Sequence, residues 1–341
     1  MCRNLTRRNF IKTCSTAAAA TMVGAPAGEA AVMAKRHAAT KPVSIFLDTD
    51  VVADPGDPIA IALLQGLADL GEARILAITC VTSNPYAAGC VDAIDRFYGR
   101  PNIPIGQLKN KILENDSLYS RIIARKYPNR YPDGTAHVPD AVTIFRQVVS
   151  RQPDHSVVIA GIGPFTNLRD YLQSPPDQYS PLNGRDLIAG KVKLLSQMAG
   201  KFPSGSNEFN IAQDPEAAQY VTEHWPTPIM FSGFEIGAGI ITGGDIKTGP
   251  VHDALRHFYG NTTRPAWDET AVLFAVRGAR NYWNVKTNGY VQIIVNTSGT
   301  IWHPLPHRGQ GYLIRKMPDQ ELGKIIMGIE AVAGRHASRV P

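Results

Sequence analysis

Asp48, Asp50, Asp54 and Asp57 stand within ten residues of one another, between an apolar run (Val43, Ile45, Phe46, Leu47) and a second apolar series (Ile59, Ile61, Leu63, Leu64, Leu67). The first run predicts a buried strand and the second a helix packed on a sheet. The four carboxylates therefore fall in a strand-to-helix loop at the carboxyl end of the strand, where open α/β sheets place their ligands. Like charges this crowded repel unless something positive neutralises them, and a hard cation with oxygen ligands is the simplest neutraliser. A polar turn with an Asp helix cap would account for a lone Asp-x-Asp equally well.

Beyond this loop the chain alternates. Ala73–Val81 reads as a second buried strand, Gly89–Tyr98 as the helix after it, and Pro101–Ile105 as a short extended piece. Lys109–His137 is polar and aperiodic, a long irregular insertion able to cover a site. A helix over Pro139–Ser150 and strands over Ser156–Ala160, Lys191–Gln197 and Ile229–Ser232 follow. Val291–Val295 and Thr300–Trp302 suggest an antiparallel hairpin, and Gln320–Gly334 a closing amphipathic helix. Strand and helix in alternation predict an α/β fold with a mostly parallel, Rossmann-like open sheet and helices on both faces. No linker, repeat or low-complexity stretch divides residues 42–336, which read as a single domain.

Residues 1–34 read as a targeting segment. Thr6-Arg7-Arg8-Asn9-Phe10-Ile11-Lys12 spells a twin-arginine signal, followed by an Ala-rich apolar stretch too short to span a membrane permanently. The expected location is periplasmic or secreted, without stable membrane insertion. The leader carries Arg3, Arg7, Arg8 and Lys12 against Glu29, so half of the formal +6 leaves with it. No basic stripe with interleaved aromatics remains to track a phosphate backbone, so nucleic acid is not an expected partner. Cys2 and Cys14 also leave; Cys80 and Cys90 remain, either as a bridge formed in an oxidising compartment or as two buried thiols.

Chemistry-bearing motifs accumulate at the predicted strand ends. Strand Ser156–Ala160 runs into Gly161-Ile162-Gly163-Pro164-Phe165-Thr166-Asn167-Leu168, and strand Lys191–Gln197 into Met198-Ala199-Gly200. Asn207-Glu208-Phe209-Asn210 precedes Asp214-Pro215-Glu216-Ala217-Ala218, and Arg264-Pro265-Ala266-Trp267-Asp268-Glu269 opens an apolar helix. Asp214 with Pro215 makes a sound helix start, and Asp268 suits a cap equally. Glu208 and Asn210 supply an acceptor and a mixed donor/acceptor in one loop, as a sugar with several hydroxyls requires.

In this order and spacing the motifs resemble those of the inosine/uridine-preferring nucleoside hydrolases: a strand ending in DTD, a GPLTNL-like turn (here GPFTNL), and EFN followed by DPEAA. The resemblance covers nearly all of the chain after the leader. It implies the nucleoside hydrolase fold, a Ca2+ cofactor, a small-molecule nucleoside or riboside as substrate, and a possible homo-oligomer. Carried over, Asp50, Asp57, the Ile162 carbonyl and Asp268 would hold Ca2+, with Asp50 the base that deprotonates the attacking water. Asn84, Glu208 and Asn210 would bind the ribose hydroxyls, with Met198 and Phe209 lining the sugar pocket and Asp48 supporting the loop. Two departures stand out. Gly56 occupies the place of the first of a usual aspartate pair, with Asp54 nearby as a substitute. Trp267 replaces the usual His before the last Asp; it can stack on a base but not protonate one, leaving Tyr259, His257 and Glu235 as neighbouring candidates for that role. The rival functions are a non-catalytic or narrowly specific periplasmic ribosyl-binding relative and, third, a haloacid-dehalogenase-like phosphatase, whose first motif is also a strand followed by DxDxV but whose later lysine and acidic motifs are not evident.

Overall fold

A computed structural model describes residues 41–51, 54–110, 119–132, 137–258, 260, 262–306 and 308–337. The leader, Tyr259 and parts of the Lys109–His137 insertion lie outside the described residues. The first unit is strand β1 (Val43–Thr49), helix α1 (Gly56–Asp69) and strand β2 (Ala73–Cys80), followed by α2 (Ala87–Phe97) and β3 (Ile105–Gln107). Next come α3 (Ser120–Lys126), α4 (Ala141–Val149), β4 (Val157–Gly161), α5 (Thr166–Gln173), α6 (Gly184–Lys191) and β5 (Val192–Met198). Strand β6 (Ser204–Gly205), α7 (Phe209–Gln213), α8 (Pro215–His224), β7 (Ile229–Ser232), α9 (Phe234–Gly237), β8 (Ile241–Thr242), α10 (Gly249–His257) and β9 (Arg264–Pro265) lead to α11 (Trp267–Arg277). Strands β10 (Trp283–Ile294), β11 (Gly299–Pro304) and β12 (Gln310–Arg315) and helix α12 (Asp319–Ala337) complete the fold.

The main sheet has the order β3-β2-β1-β4-β5-β7-β12-β10-β11-β6. From β3 through β12 every pairing is parallel, and β10, β11 and β6 add antiparallel pairings at one side. The chain builds outward from β1 in one direction through β2 and β3, then returns to lay β4 on the other side of β1. That reversal makes the carboxyl ends of β1 and β4 the switch point at which open α/β sheets place their ligands.

Successive side chains of β1 point to opposite faces, so the strand feeds two cores. Ile45 and Leu47 join α1, α11 and α12 on one face; Phe46 meets Phe145 edge-on at 5.6 Å and Tyr171 at 6.0 Å on the other. Helix α1 is buried from Gly56 to Leu67, including Gln65, whose amide is satisfied by Asp95 at 2.7 Å. Such all-round burial fixes the helix whose amino end begins at the aspartate loop.

The structure differs from the sequence expectation in three places. The insertion over Lys109–His137 is not wholly irregular: α3 lies within it, with Ile123 and Ala124 buried against α2 and α10. The stretch 234–237, for which no element was expected, is the short helix α9. The carboxyl-terminal hairpin is larger: β10 begins at Trp283, and the unforeseen β12 inserts between β7 and β10. Cys80 and Cys90 are free and buried, so of the two readings the thiols hold.

Candidate active site

Thr49 ends β1, and Asp50 follows at its tip. The Thr49 hydroxyl donates to Asp57 Oδ1 at 2.6 Å, and the Asp50 amide donates to the same oxygen at 3.3 Å. Asp57, in the first turn of α1, therefore ties strand tip to helix start, a position where the helix dipole also favours a carboxylate. Asp268 reaches the loop from the first turn of α11; a Cβ placed on Gly56 would stand only 2.5 Å from its Oδ2. Asp54 is turned inward: Gly56 N–H donates to its Oδ1 at 2.8 Å, and Arg264 forms an ion pair with its Oδ2. None of Asp50, Asp54, Asp57 and Asp268 is more than 3 % exposed.

From β4 the Ile162–Gly163 turn closes on Asp50. A Cβ at Gly163 would lie 3.0 Å from the Asp50 nitrogen, so backbone meets backbone where only glycine fits. Asn210, on α7, donates from Nδ2 to the Ile162 carbonyl at 3.2 Å, to the Met198 carbonyl at 3.0 Å and to Met198 Sδ at 3.3 Å. Its Oδ1 is buried without a hydrogen-bond partner among the described residues, an acceptor that awaits a donor. Glu208 caps α7 through both oxygens, accepting from Asn210 N at 3.1 Å and Ile211 N at 3.0 Å. Phe209 is buried at the start of the same helix. The NEFN motif thus places Glu208, Phe209 and Asn210 against the carboxyl ends of β4 and β5.

Asp48 does not face the crevice in the same way. Its Oδ1 accepts from Thr79 at 2.6 Å, Asn167 at 2.7 Å and the Tyr171 hydroxyl at 3.2 Å, so its side chain ties β1 to β2 and α5 rather than to the loop it was expected to support. Burial pushes its carboxyl up to about 7 despite those hydrogen bonds. Asn84 lies one strand away, beyond β2, with Oδ1 turned back to the Tyr86 amide at 3.0 Å to start α2. Trp267 precedes Asp268, but its indole N–H donates to the Phe234 carbonyl at 3.0 Å, and its ring stacks on Phe234 at 5.1 Å. Among the neighbouring acid candidates, His257 is exposed, whereas Glu235 is half-buried and its carboxyl is raised by desolvation.

The structure therefore brings together Asp50, Asp54, Asp57, Ile162, Met198, Glu208, Asn210 and Asp268, and leaves Asn84 and the Trp267 ring at the margins. Sequence reasoning assigned no role to Arg264, Asn167 or Tyr171. The signal for Arg264 was available in principle: four buried aspartates call for counter-charge, and a basic residue four positions before Asp268 can supply part of it. The donor set of Asp50, Asp57, Asp268 and the Ile162 carbonyl is all oxygen and suits a hard divalent cation. Among the described residues no three His, Cys, Asp or Glu side chains already enclose a common point as a preformed cage would, and Asp57 Oδ1 is engaged by Thr49 and Asp50.

Comparison with known proteins places this arrangement in context. Residues 45–313 match the family model described as inosine-uridine preferring nucleoside hydrolase. The chain is 28% identical over 193 residues to the pyrimidine-specific ribonucleoside hydrolase RihA of Enterobacter, covering 54% of this chain and 58% of that protein. The corresponding protein of Klebsiella pneumoniae is 26% identical over 190 residues, with the same shares. The chain thus spans little more than half the length of the curated relatives it matches. In fold it is similar to the purine-preferring ribonucleoside hydrolase of Gardnerella vaginalis, with a TM-score of 0.64 at 17% identity over 85% of this chain and 99% of that one. It is also similar to an inosine-uridine preferring nucleoside hydrolase of Bacillus anthracis, with a TM-score of 0.59 at 15% identity over 87% and 100%.

Proposed function

The chain belongs to the inosine-uridine preferring nucleoside hydrolase family, and from that premise we propose that it hydrolyses the N-glycosidic bond of a ribonucleoside or related riboside. The observation that carries the proposal is that Asp57 ties the Asp50 strand tip to the helix start, Asp268 stands against the adjacent Gly56, and Asn210 donates to the Ile162 carbonyl, all where the strand order reverses. Asp50, Asp57, Asp268 and the Ile162 carbonyl would hold Ca2+. That ion, when bound, lowers the pKa of water and polarises oxygen ligands.

The chain's own residues carry the remaining roles. Asp50, fixed between the Gly163 turn and the Asp57 carboxylate, accepts the proton of the attacking water. Asn210 Oδ1 accepts from a sugar hydroxyl, and Glu208 lies beside it on the same loop. The buried carboxylates stabilise the positive charge that develops on the sugar in an oxocarbenium-like transition state. Trp267, with its indole N–H given to the Phe234 carbonyl, contributes an aromatic face and no proton to the leaving base. Asn84, one strand away with its Oδ1 engaged by the Tyr86 amide, would have to turn its side chain to reach the sugar. The twin-arginine motif at residues 6–12 supports an exported branch of the family acting in the periplasm or outside the cell.

The test is release of reducing sugar from a panel of purine and pyrimidine nucleosides, with calcium and again after chelation. Calcium-dependent ribose release is the expected result and identifies the base. Tight binding of ribosides without release would favour the ribosyl-binding alternative, which the loss of the usual histidine at Trp267 keeps in view.

A further inference from the structure

Arg264 is buried, and its guanidinium carbon lies 4.9 Å from the Phe258 ring centre and 5.6 Å from that of Trp267. It forms an ion pair with Asp54 Oδ2, while the opposite oxygen of Asp54 accepts the Gly56 amide at 2.8 Å. A Cβ on Gly56 would stand 3.2 Å from Asp54 Oδ1 and 2.5 Å from Asp268 Oδ2. The carboxylates of Asp54 and Asp268 thus share the space a side chain at position 56 would take. A carboxylate reaching that space from two residues earlier in the loop has to be gripped from its far side. Tyr119 fixes its backbone, donating to the Asp54 carbonyl at 2.9 Å, and Arg264 fixes its side chain. The guanidinium is planar and permanently charged and stands near two aromatic rings, so it grips in one geometry.

We infer that Arg264 is a positioning residue with a built-in counter-charge: it holds Asp54 beside Asp268 and keeps it from serving as a metal ligand with Asp50, Asp57 and Asp268. The inference rests on the metal-dependent reading proposed above. Its consequence has a sign. Without the guanidinium, Asp54 adds an uncompensated buried negative charge beside the cation site. Cation affinity rises.

The experiment is calorimetric titration of the full chain with Ca2+. Arg264→Gln is expected to bind calcium about ten-fold more tightly than wild type, and Arg264→Lys to stay near wild type. Adding Asp54→Asn to Arg264→Gln should remove the gain. Unchanged or weaker calcium binding by folded Arg264→Gln overturns the inference and leaves the proposed function standing. Absence of any divalent-cation binding by wild type overturns both. If Arg264→Gln does not fold, the single variants decide. Asp57→Asn and Asp268→Asn should abolish calcium binding while Asp54→Asn retains it with the same stoichiometry; loss of binding in Asp54→Asn would make Asp54 a ligand and end the inference.

Discussion

Replacing Gly163 with Ala tests how closely β4 determines the position of Asp50. The added Cβ would sit 2.6 Å from Val81 Cγ1, 3.0 Å from the Asp50 nitrogen and 3.2 Å from Asp50 Cβ, where ordinary contacts begin at 3.4 Å. Relief requires a movement of roughly 0.8 Å at Val81, which is wholly buried, or a smaller displacement of Asp50. Overpacking of this kind destabilises by about 1–3 kcal/mol. Activity should suffer more than stability, because misplacing a reacting group by about 1 Å can reduce turnover on the order of 100-fold. Urea denaturation and single-substrate kinetics on the same preparation separate the two effects. Val81→Ala opens the space that the new methyl group needs, so the double variant Gly163→Ala/Val81→Ala should be less destabilised than the sum of its parts. Additive losses, or a Gly163→Ala enzyme with full turnover, would refute the claim that this glycine sets the position of Asp50.

Three further outcomes are expected. Asp50→Asn should lower kcat by about 10²–10⁴-fold with an unchanged thermal melt; a variant as active as wild type would remove Asp50 as the base. Burial lifts the Glu330 carboxyl from 4.5 to about 8, so the folded chain keeps a proton that the unfolded chain releases. Its stabilising contribution is complete below pH 4.5 and is lost as pH rises through about 8. Between about pH 6 and pH 9 the loss is at most about 2–3 kcal/mol. Glu330→Gln should flatten that decline in denaturation midpoints, and parallel curves for variant and wild type would argue against it. Burial likewise pushes the Cys80 and Cys90 thiols up, so both should resist maleimide in the native protein and both should react after unfolding without reductant. Failure of the unfolded, unreduced chain to label would indicate a bridge instead.

The parts of the fold legible in the sequence were those where pattern and burial coincide. Strands β1, β2, β4, β5 and β7 are nearly continuous apolar runs because both of their faces are covered, and the aspartate loop announced itself by charge density. Strand β12 was not legible: Gln310–Arg315 is short, glycine-containing and exposed at Ile314 and Arg315, and its place between β7 and β10 is set by partners distant in sequence. The first half of β10 is largely exposed and polar, so no apolar alternation marks it as strand. Helix α3 has no side-chain cap and only seven residues, too little for a periodic signal. At the site, the family resemblance nominated Asp50, Asp57, Glu208, Asn210 and Asp268. What it did not reveal was Arg264 with Asp54, since a pair separated by 210 residues leaves no local pattern.

The close approach at Gly56 also constrains how this loop can change over generations. Any residue with a Cβ at position 56 collides with the carboxylate of Asp268 unless that carboxylate and Asp54 withdraw. An aspartate introduced there would also face a site where the Arg264 guanidinium is already paired with Asp54. A side chain at position 56 therefore requires the carboxylate of Asp268 or Asp54 to move. Positions 54, 56 and 264 are thus coupled, a change at one altering the space or charge left to the others.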